Sequence, residues 1–301
     1  MILFLCNGTN EMIQPKDYSP FGLVSTKWKH INPVYRRLDR ELCKHSIVPP
    51  KMYLGKWFKN LEDYDTIIIE ALTHNQPLID RILSIDKNRD KRIILWHWNK
   101  VFEFAIQPDN PKYIDCELWS FDEDDCKQYR MKKNTQYFDP SWTEQIHYKP
   151  VRDVWFVGTD KCRLEKLLRV KNSFEVMGLK CKFIIVADDH SNQNSYKFDK
   201  PMKYSETLVE LAKSKAVLDI PLSGQKGLTL RPLEAMFFKR KLITENVNII
   251  NYSFYRKENV FILGKDNISD LGEWINTPFN NSIESDLSFY SVKEWLKRFI
   301  K

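Results

Sequence analysis

The chain has 301 residues, 43% of them hydrophobic and 29% charged, with a formal net charge of +7 and nine tryptophans. That length exceeds a typical single domain of roughly 100–200 residues, so two domains are expected, and the balance of apolar and charged residues excludes a disordered or fibrous chain. No run approaches the roughly 18 apolar residues of a membrane-spanning helix, and the cysteines (Cys6, Cys43, Cys116, Cys126, Cys162 and Cys181) show neither a Cys-x-x-Cys pair nor zinc spacing, which predicts reduced thiols in a cytoplasmic protein.

The opening run Met1 to Cys6 is apolar but stops at Asn7-Gly8 and lacks a positive flank, so it reads as a strand and not as a signal peptide. Between Lys16 and Lys59 there are ten basic residues (Lys16, Lys27, Lys29, Arg36, Arg37, Arg40, Lys44, Lys51, Lys56 and Lys59) against Asp17, Asp39 and Glu41. This predicts a basic surface fit for an anionic membrane, a lipid-diphosphate acceptor or nucleic acid. A helix is expected from Pro33 to His45, with Val34, Leu38, Glu41 and His45 on one face. A second is expected from Asn75 to Ile85, where Pro77 falls in the first turn. Further strands are predicted at Thr66 to Ile69, Arg92 to Trp98, Val154 to Val157, Lys182 to Val186, Ala216 to Ile220 and Lys241 to Thr244. Strands alternating with helices define an α/β fold with parallel sheets covered on both faces. The punctuation by Pro140 and Pro150 divides it into residues 1–148 and 149–301. Ser191 to Lys200 reads as a loop before a helix over Ser205 to Ser214. A last helix, within about 288–301, carries Val292, Trp295, Leu296, Phe299 and Ile300 on one stripe.

The strongest local signal is a strand, Ala216 to Ile220, followed by Pro221 to Thr229 and a helix over Leu230 to Phe238. Gly224 and Gly227 allow tight folding and close approach of a ligand. Pro232 is tolerated only in a first turn, which makes Thr229 the N-cap and leaves the N–H groups around Gly227, Leu228, Thr229 and Arg231 free at the positive end of the helix. Arg231 adds a cation, and Glu234 lies one turn deeper on nearly the same face, where a carboxylate could accept both hydroxyls of a ribose. An Arg231–Glu234 ion pair in an ordinary capped helix is the structural alternative. A second strand-turn-helix junction runs through Gly158, Thr159, Lys161 and Arg163. Its cations oppose the helix dipole, so a bound anion would account for them. Neither the dinucleotide Gly-x-Gly-x-x-Gly pattern nor a phosphate-binding Gly-x-x-x-x-Gly-Lys-Ser/Thr occurs.

Three segments, Val154 to Arg163, Leu218 to Glu234, and Lys241 to Asn246 followed by Asn251 to Tyr255, together resemble the donor-binding half of bacterial GT-B-fold glycosyltransferases from polysaccharide and lipopolysaccharide loci. Weaker similarity reaches Ile93 to Asn99 and Trp119 to Cys126. The resemblance implies two facing Rossmann-like domains, the first binding the acceptor and the second the nucleotide-diphosphate sugar, with the last helix crossing back to the first. It also implies transfer from a sugar nucleotide, UDP-linked by expectation, to a saccharide or lipid-linked oligosaccharide in O-antigen or capsule synthesis. The site would lie at the inner face of the cytoplasmic membrane, with no nucleic-acid partner, no cofactor and no metal. On that pattern Gly227, Leu228 and Thr229 hold the diphosphate through backbone and hydroxyl, Arg231 with Lys161 or Arg163 neutralises it, and Glu234 takes the ribose, with Gly158, Thr159, Ser223, Gly224 and Gln225 also among the donor-binding residues. Base candidates in the first domain stand at strand C-termini: Glu70, His74 and His97. Asp122 to Asp125 invites a metal, but acids at a helix start account for the run. A sugar-nucleotide epimerase or hydrolase of the same fold and a non-enzymatic nucleotide- or polyanion-binding protein are the competing expectations.

Overall fold

Short runs of aliphatic and β-branched residues, apolar on both alternating faces, become the central strands of two parallel sheets because helices cover each sheet from both sides. The computed structural model describes residues 1–6, 13, 15–27, 41, 54–85, 90–102, 104–192, 196–222 and 227–300. They divide into two units, Met1–Gln136 with Val292–Lys301, and Tyr137–Ser291.

In the first unit β1 (Ile2–Cys6), β2 (Lys16–Tyr18), β3 (Gly22–Thr26), β4 (Thr66–Glu70), β5 (Arg92–His97), β6 (Glu117–Ser120) and β7 (Lys132–Lys133) lie in the order β2-β3-β1-β4-β5-β6-β7. Among the described strands only β2 runs antiparallel, against β3. Leu3, Leu5, Ile67, Ile69, Ile93 and Leu95 share a core with Leu78, Ile79 and Ile82 of α1 (Gln76–Leu83). A short helix α2 (Glu123–Tyr129) follows β6, capped by Asp122, whose Oδ1 accepts from the N–H groups of Asp124 and Asp125 at 3.0 and 3.1 Å. That capping accounts for the acidic run.

The second unit contains α3 (Ser141–Gln145), β8 (Arg152–Thr159), α4 (Leu164–Val176), β9 (Cys181–Val186), α5 (Tyr204–Ala212), β10 (Ser214–Asp219), α6 (Leu230–Phe237), β11 (Lys241–Thr244), β12 (Val260–Ile262), α7 (Leu271–Trp274) and α8 (Glu284–Ser288). Its five parallel strands are ordered β12-β11-β10-β8-β9. Trp155, Val217 and Leu242 point into one core with Leu208, Leu211, Leu233 and Met236. The alternate residues Val154, Phe156, Ala216, Leu218 and Ile243 point into another with Leu167 and Phe174.

The chain then returns to the first unit as α9 (Val292–Lys297). Phe4 and Trp96, on the sheet face opposite α1, meet the Trp295 ring at 5.3 and 5.2 Å, and Trp119 meets Phe299 at 4.7 Å. Trp295 is fully buried and its Nε1 donates to Thr135 O at 2.9 Å. The expected stripe therefore docks, except for Ile300, which is 53% exposed. Among the described residues no helix is long and apolar enough to cross a membrane.

The division at Gln136/Tyr137 precedes the expected one because Phe138, Trp142 and Ile146 belong to the second core. Strands β2, β3, β6, β7 and β12 escaped the sequence reading, since segments such as Lys16-Asp-Tyr18 and Lys132–Lys133 carry no apolar alternation and exist through pairing alone. Helix α5 starts ahead of the expected Ser205, with the Lys203 N–H donating to Glu206 Oε2 at 3.2 Å. The helix expected over Pro33 to His45 lies outside the described residues, apart from Glu41.

At the edge where α9 ends, Glu117 accepts a forked pair of bonds from Arg92 (2.8 and 2.9 Å), one from Lys132 (3.0 Å) and one from Trp119 Nε1 (3.1 Å). Arg92 also donates to Phe299 O. The Arg92 bonds, then those of Lys132 and Trp119, pull the Glu117 pKa down from 4.5 to about 2. The folded form is thus the weaker proton binder, so this stabilisation is full above pH 4.5 and is lost as pH falls toward 2. Urea midpoints measured from pH 6 to 2 should show a loss of stability below 4.5 that is smaller in Glu117→Gln.

Candidate functional site

In a doubly wound parallel sheet the loops diverge where the strand order reverses, and a crevice opens beyond the strand C-termini. In the second unit the reversal falls between β8 and β10. The first loop there, after β8, is closed by the protein's own groups. Asp160 Oδ1 accepts from the N–H groups of Arg163 and Leu164 at 2.9 and 2.8 Å, and its Oδ2 takes the Ser191 hydroxyl at 2.8 Å. The N-terminus of α4 therefore already has its anion. Lys161 and Cys162 turn through the left-handed region (φ 45 and 59°), and the Lys161 N–H donates to Asp188 Oδ2 at 2.6 Å.

Arg163 does not offer its guanidinium to an outside anion. It donates to Thr159 O at 2.8 Å, to Asp160 O at 3.3 Å and to Ile220 O, tying the end of β8 to the segment after β10. Gly158 makes room for this strap: a Cβ there would stand 3.2 Å from the Phe156 ring and 3.5 Å from Arg163 Nη2. Burial lowers the Arg163 pKa against the opposing charges of Asp219, Asp160 and Asp188. The Arg163 guanidinium is thus accounted for by internal acceptors, whereas Lys161 gives its backbone N–H, and not its ammonium, to Asp188. Lys161 is exposed.

The second loop is different. Thr229 is the N-cap of α6, as Pro232 required, but its side chain makes no cap; the hydroxyl donates to Asp219 Oδ1 at 3.3 Å. Among the described residues no acceptor meets the N–H groups of Gly227, Leu228 or Thr229, and the first turn of α6 contains no acid. Among the described residues, nothing caps the positive end of this helix. Ser223, Gly224 and Gln225 lie outside the described residues.

Arg231, in that first turn, donates through Nη1 to Glu234 Oε2 and through Nη2 to Val157 O at 3.4 Å. Glu234 is 1% exposed. The buried Tyr204 hydroxyl lies close enough for the Glu234 charge to raise its pKa, after burial itself, yet forms no hydrogen bond of normal geometry. Asp219, at the end of β10 and 8% exposed, also receives the Thr244 hydroxyl at 3.2 Å from the neighbouring β11. Burial raises its pKa, and Arg231, Thr244, Thr229 and Arg163 oppose the rise. Asp219, Tyr204 and Asp160, which stand beside these groups, were not singled out by the sequence reading. The position of Asp219 at a strand C-terminus, the rule that selected Glu70 and His97, was the available signal.

In the first unit the order reverses between β1 and β4, and a cation fills that crevice too. Lys27, fully buried, donates to Asn75 Oδ1 at 2.9 Å and faces Glu70 Oε2 at 3.4 Å. Lys27 therefore does not contribute to a basic surface, while Lys16, Lys56 and Lys59 are exposed and the other basic residues of the 16–59 stretch lie outside the described residues. Glu70 is engaged by Lys27 and is poorly placed as a free base. His97 is 2% exposed, neither ring nitrogen has a partner among the described residues, and burial pushes its pKa down to about 4. A base so weak and so enclosed is a poor proton acceptor at neutral pH. His74 is exposed, and burial of part of the ring followed by the Lys27 charge lowers its pKa against the pull of Glu70. Of the two imidazoles it is the accessible one.

Among solved structures, the chain is similar to the DNA modifying enzyme beta-glucosyltransferase, determined in the presence and absence of its substrate uridine diphosphoglucose, with 13% identity and a TM-score of 0.45 over 99% of this chain and 94% of that one. No protein-family model and no curated protein matches the chain.

Proposed function

We propose that the chain is a glycosyltransferase of the GT-B kind, binding a nucleoside-diphosphate sugar, UDP-linked by expectation, at the N-terminus of α6. The observation that carries this reading is the open helix start beside Arg231, with the cap hydroxyl of Thr229 turned away to Asp219 and a buried carboxylate, Glu234, one turn deeper. Free N–H groups and a guanidinium suit a diphosphate, and a carboxylate at that depth suits ribose hydroxyls. In transfer, the charge developing on the leaving diphosphate would be met by the N–H groups of the helix start and by Arg231. For an inverting reaction the acceptor hydroxyl requires a base, and His74 fits that part best among the three candidates because it is accessible. The acceptor proposed is a saccharide or lipid-linked oligosaccharide of bacterial surface polysaccharide synthesis, on the strength of the resembling segments in the sequence. A peripheral membrane contact belongs to the same proposal.

Thermal unfolding in the presence of nucleoside diphosphates tests the donor half. A diphosphate at about 100 times its Kd should stabilise the fold by about 2.7 kcal/mol, and a panel in which none shifts the melting temperature would remove the reading. Product analysis of a UDP-sugar with and without a hydroxyl acceptor separates transfer from epimerisation and hydrolysis.

A further inference from the structure

Arg231 and Glu234 are unequal partners. The Arg231 side chain keeps 20% of its surface exposed, whereas that of Glu234 keeps 2%. Arg231 thus closes the site from the solvent side, and Glu234 is fixed beneath it. Among the described residues the other end of the guanidinium meets Val157 O at 3.4 Å, and the Asp219 carboxylate, itself pinned by Thr229 and Thr244, lies within electrostatic reach. The arginine thus has a second anion nearby and solvent at its side, whereas the glutamate is buried.

Resting on the donor-site reading, we propose that Arg231 and Glu234 form a latch through which the site selects nucleoside diphosphates over nucleosides. A nucleoside that offers ribose hydroxyls to Glu234 must first break a charge-assisted pair and supplies no anion in exchange, at a loss of about tenfold or more in affinity. A diphosphate at the open start of α6 gives the guanidinium a second anion, draws it off Glu234 and leaves that carboxylate for the ribose. Phosphate and ribose then bind cooperatively because one cation cannot serve both carboxylate and diphosphate at full strength. Inorganic pyrophosphate, which has no ribose, has to compete with Glu234 for Arg231 and gains nothing from uncovering it.

Titration calorimetry with uridine, UDP and inorganic pyrophosphate distinguishes this latch from a static ion pair, because the two variants should shift ligands in opposite directions. Arg231→Ala should weaken UDP by about tenfold or more while uridine binds more tightly than to the wild type. Glu234→Gln should tighten pyrophosphate severalfold, because the competing carboxylate is gone, while uridine weakens. Circular dichroism melts establish that each variant folds. If Arg231→Ala does not, Arg231→Lys and the pyrophosphate arm of Glu234→Gln decide the matter. Pyrophosphate affinity unchanged or lower in Glu234→Gln overturns the latch and leaves the donor site standing. A wild-type protein that binds neither UDP nor pyrophosphate removes both.

Discussion

Lys27→Met is expected to cost the first unit about 3–5 kcal/mol of stability, because it strips the ammonium from a buried carboxylate without giving that carboxylate a new partner. Lys27 has no exposed surface, its Nζ stands between Asn75 Oδ1 and Glu70 Oε2, and its carbonyl takes the Trp57 Nε1 hydrogen bond at 3.2 Å. All of this sits where the first sheet reverses its order, the place at which many parallel sheets open a ligand crevice. Urea unfolding followed by tryptophan fluorescence should show the loss. The double variant Lys27→Met/Glu70→Leu should recover most of it, since a buried pair replaced by apolar groups of similar volume is near neutral. A single-variant cost below about 1 kcal/mol would mean that Glu70 reaches water without Lys27.

Arg163→Ala should behave in the opposite way to a phosphate-ligand variant. It leaves the carbonyls of Thr159, Asp160 and Ile220 without their shared donor, which predicts a stability loss of about 2–4 kcal/mol in the second unit. Nucleotide affinity, measured on the folded fraction, should stay within a fewfold of the wild type. Arg163→Lys should restore little, because a single ammonium cannot fork toward three carbonyls spread over two segments. A tenfold fall in UDP affinity with unchanged melting would return Arg163 to the diphosphate. Hydrogen exchange at the ends of β8 and β10 offers an independent readout, since the strap joins them.

The two units thus repeat one device, a cation filling the point where strand order reverses, but with different chemistry around it. In the second unit Arg163 is spent on backbone carbonyls, while Arg231, in the first turn of α6, pairs with Glu234. The paired tests on Arg163 and Arg231 measure whether the first cation serves the fold and the second the proposed ligand.

Much of this was legible in the residues themselves. Apolar runs such as Ile2 to Cys6 and Lys241 to Thr244 became strands with the expected bounds. The position of Pro232 fixed Thr229 as an N-cap, and Asp122 began a helix, because backbone sterics and capping act over one turn of chain. Edge strands such as β7 were not legible, since two consecutive lysines have no periodicity to announce them. Nor was the fate of Arg163: the acceptor that commits it lies 57 residues along the chain at Ile220, just as Glu70 lies 43 residues from Lys27.

The sequence by itself determined where elements start and stop, which faces are apolar, and that a helix N-terminus with a nearby arginine and glutamate follows the strand ending at Asp219. Only the tertiary structure decided which charges are buried and spent on the fold, and which remain at an open helix start. The physical reason is one of range: turn sterics and amphipathic period are written in neighbouring residues, whereas the desolvation of a charge depends on partners brought in by distant strands.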